Sequence, residues 1–156
     1  MSSRRLPDRL IREGKLREQL SGLDSQNGLL SAARRNFDAA LKIIDLSEEA
    51  AFKCLYDGLL QIGRLILSLH HLRPDDGDQH KTTFHTAGIL LGSEFQDLIF
   101  KIQKFRTKRN QSIYEPEMAI TRADVLAILE TARRFWSLVR VHLQKENAQL
   151  NLFPDF

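Results

Sequence analysis

Apolar residues recur every three or four positions along almost the whole chain, and no stretch alternates with period two long enough to predict a strand. The pattern predicts an all-α protein. A first, weaker helix is expected over about residues 7–20, where Leu10, Ile11, Leu16 and Leu20 stand among charges and Gly14 lowers the helix propensity. A second runs from about 26 to 45 on the stripe Leu29, Leu30, Ala33, Phe37, Ala40, Leu41 and Ile44. Ser47 is the expected N-cap of the next, with Glu48 and Glu49 in the first turn. Its apolar face is the widest in the chain. Phe52, Leu55, Leu59, Ile62, Ile66 and Leu69 form a stripe that Leu60, Leu65 and Leu67 broaden, which suits the centre of a bundle.

That helix should end near His71, because the run from Pro74 to Asp78 combines a helix breaker with turn formers. A short helix from about 80 to 91 follows, punctuated by Gly92 and Ser93. The next places Phe95, Leu98, Ile99, Ile102 and Phe105 on one face before Pro116 stops regular structure. Thr121, with Asp124 three residues later, reads as a cap for the last helix, whose stripe runs from Val125 through Trp136 to Leu143. About five helices with mostly short connections imply an up-and-down bundle. Three segments are expected: an N-terminal helical arm over residues 1–25, the bundle over 26–147 and an apolar tail over 148–156.

The chain has 156 residues, enough for one domain that buries roughly 70% of its unfolded surface. It holds 23 basic and 20 acidic residues, so the net charge of +3 allows an anionic partner without requiring one. The single cysteine, Cys54, lies within an apolar helical stripe and reads as a reduced core residue. The charged N-terminus lacks the apolar run of a signal peptide, and no window is apolar enough to span a bilayer, so a cytoplasmic protein without membrane association is expected. Five histidines do not converge with carboxylates or thiolate at ligand spacing, so neither a metal nor another cofactor is expected. His80 or His85 reaches the region of Arg109 only if the fold brings it there.

Candidate chemistry concentrates in residues 101–114. Lys101, Lys104, Arg106, Lys108 and Arg109 crowd one helical stretch, with no acidic residue between Asp97 and Glu115. Such a stretch repels itself unless something anionic answers it, so these five are the candidate nucleic-acid or nucleotide ligands. Arg109 and Asn110 place a planar guanidinium beside an amide, and Tyr114 follows about one turn on. A purely structural role fits the same residues, with Arg109 at helix-end carbonyls, Asn110 in the following turn and Tyr114 half-submerged.

With Arg109, Asn110 and Tyr114 at a helix end before a final amphipathic helix, the chain resembles the HEPN family of small helical domains. The segment Lys108 to Glu115 is similar to the Arg-Asn-x-x-x-Tyr form of that family's signature, and Ala32 to Ala40 resembles its early helix. The resemblance implies a homodimer whose signature residues line a basic cleft that binds RNA or a nucleotide. It also implies a toxin and antitoxin pairing, with a nucleotidyltransferase antitoxin acting in trans. Arg109, Asn110 and Tyr114 would be the catalytic candidates of a metal-independent endoribonuclease. Tyr114 stands where the ribonuclease members carry histidine, and a phenol of pKa near 10 is a poor base at pH 7.

The tail carries a separate signal. Gln149, Leu150, Asn151, Leu152 and Phe153 resemble the short peptide by which bacterial polymerases and repair proteins dock on the DNA sliding clamp. Partner binding would then run through Gln149, Leu150, Leu152 and Phe153. Alternatively, these apolar residues and Phe156 fold back on the bundle or on a second copy. A separate alternative for the whole chain is a non-catalytic helical adaptor.

Overall fold

A computed structural model describes residues 2–156, with side chains from Leu6 onward. The described helices are α1 (Ser2–Arg12), α2 (Leu23–Ile43), α3 (Glu48–Leu69), α4 (Gln79–Leu91), α5 (Gln96–Tyr114) and α6 (Arg122–Gln144). Two three-residue strands, β1 (Leu16–Glu18) and β2 (Leu72–Pro74), pair antiparallel with Leu16 opposite Pro74. The all-α bundle class holds, with six α-helices among the described residues rather than about five. No described helix is long and apolar enough to cross a membrane.

The caps form as the spacing predicts. The Ser47 hydroxyl accepts the Ala50 N–H at 3.2 Å and opens α3. At α6 the box is reciprocal: Thr121 Oγ1 accepts the Asp124 N–H at 3.2 Å, and the Asp124 carboxylate accepts the Thr121 N–H at 2.9 Å. Between its caps, α3 is buried on nearly every side and packs against α2, α4 and α6.

α2 and α3 approach closely where Phe37 meets Gly58. A Cβ added at Gly58 would lie 2.4 Å from Cε1 of Phe37, so only glycine lets that ring lie flat on the α3 backbone. Phe37 is held from its other side by Phe156, stacked at 4.4 Å between ring centroids and 10° between planes. The ring therefore has nowhere to retreat.

Two expectations are corrected, the extent of the first helix and the absence of strands. The helix predicted over about residues 7–20 ends at Arg12, because Gly14 adopts φ +74° and closes a Schellman turn. Its amide donates to Ile11, and the Lys15 amide donates to the Leu10 carbonyl at 2.9 Å. The chain then enters β1, where Leu16 is buried and Leu20 is 88% exposed. A three-residue strand is too short to show a period of two.

The tail lies back on the bundle. Of the four residues expected to bind a partner, Leu150 and Phe153 are buried, Leu152 is half-buried and Gln149 is exposed. Phe153 stacks on Trp136 at 4.1 Å, and its carbonyl accepts the indole N–H at 3.2 Å. Asp155 accepts from Arg140 Nε at 3.2 Å, and the Asn151 amide donates to Asn27 Oδ1 at 2.8 Å. Of the two arrangements the sequence allows, the one seen is the fold-back onto the bundle.

Gly58→Ala should lower stability in urea unfolding by an amount near the upper end of the roughly 1–3 kcal/mol typical of overpacking. That exceeds the gain of about 1 kcal/mol from helix propensity. Adding Phe37→Leu should return part of the loss. Phe153→Ala should cost about 3 kcal/mol or more with helical circular dichroism retained, whereas a cost near zero would mean the tail does not sit on Trp136 in solution.

Candidate functional site

Arg109 continues the buried stripe of α5. Residues four and seven apart share a helix face, so Ile102, Phe105, Arg106 and Arg109 turn toward the bundle. Ile102 is fully buried, and Phe105 meets Phe52 edge-on. One turn later the bundle thins at the start of α4, and the same face carries guanidinium groups instead of hydrocarbon.

The Arg109 guanidinium lies over the Tyr56 ring of α3, 5.1 Å from its centroid. The Tyr56 hydroxyl shares a 3.1 Å hydrogen bond with His80 Nδ1 in the first turn of α4. Arg106 is oriented through Gln103: its Nε donates to Gln103 Oε1 at 2.8 Å, and Gln103 Nε2 donates to the Lys81 carbonyl at 3.1 Å. The turn before α4, the start of α4 and the end of α5 thus line a cleft of about 450 Å³ walled by Asp76, Asp78, His80, Arg106, Arg109 and Asn110. Asp78 caps α4 without a side-chain bond to it, and the first turn holds no acid, so this end of the helix favours negative charge.

Burial pushes the Tyr56 phenol up to about 12, so it remains a neutral donor or acceptor at physiological pH. Burial, reinforced by the charges of Arg64 and Arg109, holds His80 below its ordinary value against the opposing pull of Asp57 and Asp78. A neutral imidazole is the result. With Nδ1 tied to Tyr56, the other ring nitrogen is the one left to exchange a proton.

The cleft walls carry two cations and two carboxylates. The Thr82 hydroxyl donates to Asp76 Oδ2, while Asp76 Oδ1 is buried with no partner. Guanidinium groups grip phosphate or carboxylate, and carboxylates accept from hydroxyl or amino groups. A ligand that is anionic at one edge and hydrogen-donating at another matches this arrangement, and a nucleotide is such a ligand.

The basic stretch does not act as one surface. Only Arg106 and Arg109, with Asn110, reach the cleft. Lys108 pairs with Asp124 of α6 at 3.5 Å, Lys104 lies 4.5 Å over the Phe100 ring, and Lys101 borders a separate groove beside Glu130 and Arg134. Tyr114 is 83% exposed and outside the cleft, since a residue five positions after Arg109 lies well round the helix. The fold brings His80 to Arg109 and leaves His85 exposed elsewhere. Tyr56 escaped notice within the apolar stripe, although a phenol there demands a hydrogen-bond partner.

Because burial holds His80 neutral near pH 7, acidification adds a positive charge to the cleft, and a bound anion favours that charge. Affinity for sulfate, whose charge is constant in this range, should therefore rise as the pH falls from about 7 to about 5.5. His80→Gln should flatten the rise, and a histidine ring resonance that ignores sulfate would contradict the assignment. Comparison of the chain with protein-family models, curated proteins and solved structures finds no match.

Proposed function

We propose that this chain is a HEPN-like protein that binds RNA or a nucleotide through Arg109, Arg106 and Asn110. The observation that carries the reading is the convergence of those cations with His80 and the uncapped start of α4 in one cleft. Arg109 lies over an aromatic ring and makes no ion pair among the described residues. Its charge is thus left for a ligand. Asp76 and Asp78 supply acceptors for ribose hydroxyls or base amino groups, which favours a nucleotide over a simple anion. The toxin-type role, with a nucleotidyltransferase antitoxin in trans, rests on the resemblance of the Lys108 to Glu115 segment. Exposed Ile113, Tyr114 and Met118 near the end of α5 offer an apolar face to a second copy, in keeping with a homodimer.

The placement of His80 favours a second reading for the same cleft, metal-independent RNA cleavage. His80 would take the proton of a 2'-hydroxyl as that oxygen attacks phosphorus, the bond from phosphorus to the 5'-oxygen would break with that oxygen taking a proton from water, and Arg106 and Arg109 would hold the charge that develops. The histidine expected five residues after Arg109 would thus be supplied from α4. The clamp-docking alternative carries a larger cost. Leu150 and Phe153 would have to leave the core first, forfeiting about 1.5–3 kcal/mol each.

Arg109→Ala should weaken binding of single-stranded RNA by roughly tenfold or more in a filter assay, with the melting temperature within a few degrees of wild type. Unchanged binding would remove the cleft reading. His80→Gln should keep affinity and abolish any cleavage, so cleavage surviving in that variant would assign the chemistry elsewhere.

A further inference from the structure

A second cavity, of about 300 Å³, opens where the β1–β2 pair crosses the start of α2 and the C-terminal half of α3. Its lining is mixed: Leu29, Leu67, Leu72 and Pro74 contribute hydrocarbon, and Ser21, Ser25 and Ser68 contribute hydroxyls beside Arg64 and Arg73. These arginines are the only charged residues lining it, so the cavity is cationic with no carboxylate to balance it.

Arg73 donates to Gln19 Oε1 at 3.2 Å, a neutral acceptor. Arg64 is half-buried and makes no ion pair among the described residues. A half-buried guanidinium without a counterion is costly, and two like charges on one cavity add to the cost. An anion relieves both. The planar fork of arginine suits the oxygens of a phosphate, and the hydrocarbon of Leu29, Leu67, Leu72 and Pro74 in the same lining suits the flat face of a base. The volume lies at the lower end of the range usual for small-molecule sites, about 300–1,000 Å³.

The two cavities adjoin. Gln79, at the start of α4, lines both. The charge of Arg64 is also among those that depress His80 in the first cleft, so the guanidinium reaches toward both spaces. The arginines of the two cavities, Arg64 and Arg73 in one and Arg106 and Arg109 in the other, therefore lie on either side of Gln79 at the start of α4.

We infer that the second cavity is the subsite for a neighbouring nucleotide of the same single-stranded RNA, with Arg64 and Arg73 on its phosphate and its base against Leu29, Leu67, Leu72 and Pro74. This rests on the RNA reading of the Arg109 cleft and extends it to a substrate longer than one nucleotide.

The test is fluorescence anisotropy of the full chain with a labelled single-stranded RNA of roughly ten nucleotides, across a salt series. Arg64→Gln and Arg73→Gln should each weaken binding roughly tenfold and make the log–log salt slope shallower by about 0.7, the release expected for one phosphate contact. Arg64→Lys, which keeps the charge but loses the fork, should retain the wild-type slope with part of the affinity. Melting curves identify any variant that fails to fold, and Arg73, exposed on β2, carries the test if Arg64→Gln does so.

Loss in both glutamine variants and in Arg109→Ala supports one continuous track. Wild-type affinity and slope in both glutamine variants, with Arg109→Ala impaired, overturns the second subsite and leaves the first cleft standing. Loss in the glutamine variants with Arg109→Ala unaffected removes the RNA reading of the first cleft and, with it, the continuous track. No RNA binding by the wild type overturns both.

Discussion

The contact between Phe37 and the backbone of α3 at Gly58 sets the spacing of everything around it. Any side chain at Gly58 would collide with the ring, so α2 and α3 approach as closely as helices with a bare backbone on one side allow. The ring's outer face is then free to receive Phe156, and its edge meets Phe153, 6.2 Å away between centroids. Through Phe153 the contact reaches Trp136 of α6. A single missing Cβ thus coordinates two neighbouring helices, the central helix and the C-terminal segment. The same helix carries Tyr56 two residues before Gly58 and Arg64 six residues after it, so the rigid element of the core also positions the polar groups that face the cavities.

Those polar groups sit where packing gives out. Along α5 the inward face is hydrocarbon through Phe105 and turns cationic at Arg106 and Arg109, beside the start of α4. Arg109 resolves the transition by laying its flat guanidinium on Tyr56, which keeps the charge attached to the protein by a face while its edges stay free for hydrogen bonds. Tyr56 is buried enough to hold its proton, and His80 is buried enough to lose one. Neutral partners beside a fixed cation present a strong field to an incoming anion with little reorganisation.

Much of this fold is written in local spacing. Ser47, Thr121 and Asp124 announce helix starts because capping involves residues three apart, and the broad stripe of α3 announces its central place. Gly14 was legible as a helix stop only if read as a left-handed C-terminal residue rather than as a weak helix former. The pairing of Leu16 with Pro74 spans too few residues to leave a periodic trace. The site divides along the same line. Arg109 stands out in the chain, but the sorting of its basic neighbours depends on Asp124, Phe100 and Glu130, and among these only Phe100 is near in sequence. His80 enters through a tertiary contact with Tyr56 that no spacing rule encodes. For Tyr114, helix geometry alone argued against sharing a face with Arg109.

The seat of the tail changes how the bundle must come together in time. Most of its helix contacts join neighbours along the chain, the kind that form quickly because little loop must be closed. The bond from Asn151 to Asn27 spans 124 positions, and the stacking of Phe156 on Phe37 closes a loop nearly as long. Closing such a loop carries an entropic cost that grows with the logarithm of its length. The terminal strap is therefore a late arrival in folding and an early departure in partial opening, a latch whose hydrogen-exchange protection should fall below that of α3.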